Sequence, residues 1–267
     1  MALKFENLLF LKRKANNVTA VSSRFCQKPI IFMFEKRPKM KKPLLVVLCL
    51  TLFLSGCKTD KKQKVTEQKM ELSILDKVAN AHGFDQFRNV KEIAFTFNVD
   101  RPDSHSERSW VWNTITNDIR SMNKGDTISY NRNNMDSTTT KINGGFINDK
   151  YWLMAPFNLA WDKDNITYDH QNDVPAPISK NPMQKLTIVY GNEGGYTPGD
   201  AYDFYFGSDY MIKEWVFRRS NQPEASLTTT WENYVDINGL KIAEMHKNED
   251  GSFKLYFTNI KVTSKNP

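Results

Sequence analysis

Ile93-Ala94-Phe95-Thr96-Phe97-Asn98-Val99 sets a large apolar side chain at every second position, with small or polar residues between. Side chains of an extended chain alternate between two faces, so this stretch predicts a strand with one buried face. Trp110, Trp112 and Thr114 repeat the period, and turn-rich stretches (Asn123-Lys124-Gly125-Asp126, Asn131 to Asn134, Asn143-Gly144-Gly145) set off further candidate strands near 117–122, 127–130 and 146–153. Towards the C-terminus the strands expected over 186–190, 201–206, 211–219, 227–235, 241–247 and 253–262 are joined by Gly207-Ser208-Asp209, Asp236-Ile237-Asn238-Gly239 and Asn248-Glu249-Asp250-Gly251, all hairpin chemistry. Towards the N-terminus the period changes. Met70, Ile74, Leu75, Val78 and Ala81 recur at helical spacing, and Gly83 follows where a left-handed cap belongs, so a helix is expected over 67–82.

Two segments interrupt this pattern. Ala155 to Asp162 reads as a short helix that starts through Pro156, and Val174 to Pro182, with three prolines, reads as a lid-like or packing segment. One helix and about ten antiparallel strands together predict a mainly β, α+β fold. In it an N-terminal helix packs on a strongly curved antiparallel sheet or unclosed β-barrel, in a single domain over 69–267.

The whole chain of 267 residues carries a formal charge of +7, which taken alone suggests a polyanion partner. Of its 37 Lys+Arg and 30 Asp+Glu, 11 and 2 fall in residues 1–57, so 26 and 28 remain beyond and the remainder is slightly acidic. A basic excess confined to a leader argues against nucleic acid as a partner. Within that leader, Met40-Lys41-Lys42-Pro43 is cationic and Leu44 to Leu54 is an uncharged run. The run is shorter than the ~20 residues a membrane-crossing helix needs, so it reads as an export signal. Residues 1–39 fit no part of such a signal and read as an upstream extension, the native product starting at Met40 or Met33. Leu54-Ser55-Gly56-Cys57 resembles the lipobox of bacterial lipoproteins. That resemblance implies a signal peptide over 40–56, a diacylated N-terminal Cys57 and attachment to a membrane through the acyl chains. Lys58 follows where an Asp retains many lipoproteins at the inner membrane, so the outer membrane of the cell envelope is expected. Residues 58–68, polar and lysine-rich, form a tether.

The succession of helix, β-meander, Tyr151-Trp152-Leu153-Met154-Ala155-Pro156-Phe157, Asp203-Phe204-Tyr205-Phe206 and Trp231-Glu232-Asn233-Tyr234-Val235-Asp236-Ile237-Asn238-Gly239-Leu240-Lys241-Ile242 resembles the LolA/LolB-like lipoprotein carriers over most of residues 69–262. The resemblance implies an unclosed barrel around a hydrophobic cavity lidded by helices and able to hold acyl chains. The residues themselves show a surplus of aromatic rings: 17 Phe, 10 Tyr and 6 Trp, of which only six Phe precede Cys57. Phe95, Phe97, Trp110, Trp112, Trp152, Phe204, Phe206, Trp215 and Phe217 occupy alternating positions, so they either fill a solid core or line a cavity that a single long helix leaves uncovered. The first alternative suits a structural or protein-docking lipoprotein, the second a carrier of an acyl chain or similar apolar molecule.

Catalytic signals are lacking. With Cys57 modified and Cys26 and Cys49 removed, no thiol remains for nucleophilic, redox or zinc chemistry. His82, His105, His170 and His246 show no ligand spacing, and His82 ends the helix where a cation is favoured, so no metal is expected. Asp162-Lys163-Asp164-Asn165 starts like a calcium loop, but Ile166 and Thr167 break the pattern and leave an Asx-rich turn. Gly191-Asn192-Glu193-Gly194-Gly195 lacks the lysine and helix of a phosphate loop and reads as a turn. Ser137 to Thr140 reads as an exposed strand or loop, and pairs such as Asp200 with Asp203 are too generic to assign as acid and base. Arg218-Arg219 suits either a solvated strand edge or an anionic headgroup. The chain is therefore read as a non-enzyme without cofactor, a hydrolase being the less favoured alternative.

Overall fold

The computed structural model describes residues 71–265. The readings made on the leader, Cys57, the tether and the first residues of the expected helix lie outside the described residues. Helix α1 (Ile74–Ala81) starts later than its periodicity suggests, because Ser73 caps it by accepting the Asp76 N–H at 3.2 Å. It buries Leu75, Val78 and Ala79, and Gly83 ends it in the left-handed region (φ 88°). A Cβ at Gly83 would lie 1.9 Å from the Gly239 carbonyl oxygen, so this glycine also permits close approach to another backbone. Gly83→Ala is expected to cost about 2–3 kcal/mol, from the positive φ and the clash together, read as a fall in urea midpoint at unchanged slope.

Twelve strands follow among the described residues: β1 (Val90–Arg101), β2 (Ser104–Asn113), β3 (Asp118–Asn123), β4 (Asp126–Asn131), β5 (Ile166–Pro175), β6 (Pro182–Tyr190), β7 (Ala201–Phe206), β8 (Ile212–Arg218), β9 (Leu227–Thr230), β10 (Glu232–Ile237), β11 (Leu240–Lys247) and β12 (Lys254–Ser264). Every pairing is antiparallel, in the orders β10-β11-β12-β1-β2-β3-β4 and β5-β6-β7-β8-β9. β9 and β10 are one run of chain bent at Trp231, which changes sheets there; the Trp231 N–H still donates to the Lys213 carbonyl at 2.7 Å. The two sheets are thus joined through this bend, and β4 and β5 are the edge strands at their far ends. The mainly β, unclosed arrangement expected from the sequence is what the chain forms.

Ile93, Phe95, Phe97 and Val99 are buried as their alternation predicts, and the Asn238-Gly239 hairpin takes positive φ at both residues (53° and 81°). Asn259, at φ 54°, forms a bulge where β12 slips one residue against β1, which sharpens the curvature. Asn98, on the opposite face, is buried too, and its amide donates to Thr96 O, Tyr256 O and Thr258 Oγ1.

Four expectations are corrected. Residues 146–153 are not a strand and 155–162 not a separate short helix: both belong to α2 (Ser137–Trp161), a 25-residue helix that joins the two free edges. Ser137 to Thr140 is its first turn, not an exposed strand or loop, because Asp136 and Thr139 cap each other reciprocally. Pro156 lies inside it, and the helix kinks at Met154 (φ −133°, ψ 27°), since a proline ring crowds the carbonyl four residues back, here that of Trp152. Residues 174–182 do not interrupt the sheet. They end β5, turn, and start β6, and the turn folds onto the outer face, where Glu214 accepts the Ile178 and Ser179 N–H groups at 2.6 and 2.9 Å. β5 itself has no counterpart among the strands the sequence suggests. No helix among the described residues is long and apolar enough to cross a membrane.

Candidate functional site

The nine aromatic candidates do come together. Phe95, Phe97, Trp110, Trp112, Trp152, Phe204, Phe206 and Trp215 are buried, Phe217 is half-buried, and all nine belong to one continuous hydrophobic cluster. What joins them is α2. Its Phe146 meets Trp110 and Trp112 edge-on (5.6 and 5.8 Å), and its Trp152 meets Trp215 at 4.4 Å. Tyr151 stacks on Tyr196 at 3.7 Å and tilts against Tyr202 and Trp215. Residues 151–159 are buried on every side, as befits a helix lying within a core. The premise of one helix too small for the trough is therefore corrected, because the second helix occupies it. Two depressions of about 550 and 560 Å³ are open ones at the surface, beside His105, Arg108 and Lys124 and beside Pro177, Leu227 and Glu249.

The two halves of α2 are held differently. Before the kink, Asp149 is fully buried and takes both prongs of Arg108 (Nε to Oδ2 2.8 Å, Nη2 to Oδ1 2.6 Å), the Trp110 Nε1–H at 2.8 Å and the Asn148 amide at 3.0 Å. Burial pushes its carboxyl above the usual range, against the pull of Arg108. After the kink the helix is held mainly by apolar packing, and Asn158 Oδ1 is buried without a hydrogen-bond partner; the Tyr151 hydroxyl, three residues before the kink, is unpartnered as well.

Trp215, Trp231 and His246 continue the same pattern nearby. His246 is met edge-on by Trp231 at 4.5 Å, by Trp152 at 5.4 Å and by Phe257 at 5.9 Å. The indole nitrogens of Trp215 and Trp231 and both ring nitrogens of His246 lack partners at hydrogen-bonding geometry. Burial holds the His246 imidazole down to about 3, with backbone of Thr230 and Ala243 opposing weakly. His82, expected to act as a helix-terminal cation, is instead neutral. Its pKa is held to about 4 by burial, its Nδ1 contacts Val78 O at 2.8 Å and its Nε2 contacts the Tyr234 hydroxyl at 3.1 Å. Aromatic periodicity singles out neither histidine, since nothing in their spacing marks burial.

Other candidate groups serve the fold. Arg218 is neither solvated edge nor free cation: its Nε reaches Asp203 Oδ2 at 3.1 Å and its Nη1 reaches Asn221 at 2.8 Å. Asp203 also accepts from Thr187 at 2.6 Å, and Asp200 accepts the Ser220 N–H at 2.7 Å, so these carboxylates are not paired with each other. Asp162 ends α2 and accepts from Asn158 and from the Tyr190 hydroxyl. Among the described residues no group of three or more His, Cys, Asp or Glu side chains is placed to hold a metal ion.

An antiparallel trough whose free edges are bridged by a helix lying in its concave face defines the structural class. In overall arrangement the chain is similar to a LolA superfamily protein from Nitrosomonas europaea (12% identity, TM-score 0.41, covering 71% of this chain and 92% of that one). It is also similar to a putative outer membrane lipoprotein-sorting protein domain from Vibrio parahaemolyticus (10%, 0.39, 72% and 95%) and to a DUF1329 family protein from Desulfovibrio piger (8%, 0.38, 71% and 91%). No family model matches the sequence, and none of the curated proteins matches it.

Proposed function

We propose that this protein is a non-enzymatic lipoprotein of the cell envelope, held on the outer membrane by lipid on Cys57, which carries an acyl chain or similar apolar molecule in the trough that α2 fills. The observation behind this reading is the division of α2. An ion pair pins its first half, while the half beyond the Met154 kink plugs an aromatic trough mainly through apolar packing and leaves the buried Asn158 Oδ1 unpartnered. The described state is then the closed one, and a guest enters by displacing residues 155–161.

Energetics set what to look for. A chain of about ten methylenes removed from water releases ~8 kcal/mol, the equivalent of a micromolar Kd before ordering costs. Opening the plug lowers the apparent affinity by the fraction of molecules that are open. Substitutions on plug and trough therefore act with opposite sign. Phe157→Ala, beyond the kink, weakens the plug and is expected to tighten uptake of a fluorescent fatty acid, roughly tenfold for each ~1.4 kcal/mol by which closure is weakened. Trp215→Ala removes trough wall and is expected to weaken uptake. Native mass spectrometry of gently extracted protein reads co-purifying lipid directly. No lipid, and no uptake by wild type or by folded Phe157→Ala, overturns the carrier reading. That outcome favours the second reading, a protein-docking lipoprotein, which the packed interior supports.

A further inference from the structure

We propose that the α2 face between Arg132 and Lys150 is a carboxylate-binding site, formed by two half-buried cations on an aromatic floor. Asn143, Phe146 and Lys150 succeed one another at i, i+3 and i+7 and so line one stripe of the helix. Arg132, just after β4, lies over Phe146 with its guanidinium carbon 5.4 Å from the ring centre. Phe146 meets Trp112, and Lys150 Nζ lies 6.0 Å from Trp112 and 4.6 Å from Trp161. Cation and ring thus alternate along the stripe from Arg132 to Trp161.

The polar partners are what point to a ligand. Arg132 Nε donates to Asn143 Oδ1 at 3.2 Å, and that oxygen also accepts from the Tyr130 hydroxyl at 3.3 Å. Neither cation has a carboxylate within 4.0 Å among the described residues. With Asn143 Oδ1 already engaged by Tyr130 and Arg132, what the stripe still offers is positive charge, so the complementary group is an acceptor with negative charge, and the rings on both sides suit one carried on an apolar body. Burial and repulsion from Arg132 hold the Lys150 amine down to about 8, with only Asp162 pulling the other way. An anion bound between the two cations relieves that repulsion. A carboxylate has two sources here, the head of an acyl chain or a small free acid. The first rests on the carrier reading; the second does not.

The test follows the reactivity of the Lys150 amine. The full-length chain carrying Cys57→Ser, which leaves this face intact, is treated at neutral pH with an amine-acetylating reagent, and the rate at Lys150 is compared with that at exposed Lys124 by peptide mass spectrometry. A carboxylate beside the amine raises its pKa by about one unit or more, so millimolar benzoate is expected to slow Lys150 roughly tenfold and leave Lys124 unchanged. Benzyl alcohol, the neutral counterpart, is expected to have no such effect. Arg132→Met is expected to abolish the protection while Lys150 still reacts, and Arg132→Lys to keep part of it, which separates loss of charge from loss of fold. Equal effects of benzoate and benzyl alcohol, or undiminished protection in Arg132→Met, overturn the site. Dodecanoate protecting at far lower concentration than benzoate assigns it to an acyl head; equal potency assigns it to a small free acid. Protection by benzoate with no fatty-acid uptake leaves the site standing and ends the carrier reading.

Discussion

Arg108→Met is expected to cost about 3–5 kcal/mol of folding stability, whereas Asp149→Asn should cost distinctly less. The asymmetry follows from exposure. Asp149 is fully buried and Arg108 about a third exposed, so losing the arginine strands a carboxylate where no water reaches it, while losing the carboxylate charge leaves a guanidinium still partly hydrated. The amide introduced by Asp149→Asn would also keep an oxygen for the Trp110 N–H, which in the native protein bonds the carboxylate at 2.8 Å. At roughly 2–4 °C per kcal/mol for a body of this size, Arg108→Met should lower Tm by about 10–15 °C. A calorimetric scan of the three proteins checks it. Equal losses in both variants would mean that this pair does not hold the first half of α2 in the way the geometry indicates.

The second large effect is acid sensitivity above the carboxylate range. His82 and His246 are fully buried and neutral, with pKa values held to about 4 and about 3 against an ordinary value of 6.5. Between those limits the unfolded chain binds a proton at each position and the native state does not, so stability rises with pH in this window and falls as pH drops below 6.5. Each imidazole contributes about 1.4 kcal/mol per pH unit, so the pair removes roughly 5 kcal/mol by about two units below its ordinary pKa, comparable to the whole stability of many domains. Asp149, with its raised carboxyl, acts oppositely at lower pH, because the native state then takes up its proton first. Urea melts from about pH 7 to about pH 4.5 should show the slope, and His246→Phe should roughly halve it. The same substitution removes two unpartnered ring nitrogens from an aromatic cage and is expected to leave stability near neutral pH unchanged or higher. A pH-independent midpoint across that range would show that both imidazoles are hydrated, and a halved slope in the native protein that one is.

How much of the fold is legible in the sequence depends on how local its determinants are. The alternation of Ile93 to Val99 and the Asn238-Gly239 turn carry their own physics, a period of two and a pair of residues that tolerate positive φ, and the structure bears both out. α2 is hidden for an equally local reason. Thr138-Thr139-Thr140, Gly144-Gly145 and Pro156 are poor helix formers or breakers, and Phe146 to Leu153 is rich in aromatic and apolar residues that also suit a strand. The helix forms because it bridges two sheet edges and is buried against both faces, and burial of that extent outweighs propensity. β5 is hidden too, because Tyr168, Asp169, Gln171 and Asn172 are exposed and leave no apolar period to detect. The nine aromatic candidates are legible as inward-facing, but Asp149, Lys150 and His246 are not, since a charged or polar residue is marked as buried only by neighbours distant in the chain.

By itself the sequence determined the extension of Ile93 to Val99 and of most C-terminal strands, the Asn238-Gly239 turn and which rings face inward, because each of those choices is made within a few residues. Whether the trough stands open or is filled was decided by tertiary structure alone, since it depends on one helix of poor propensity crossing from β4 to β5 and placing Trp152 against Trp215 and Asp149 against Arg108, pairings separated by dozens of residues in the chain.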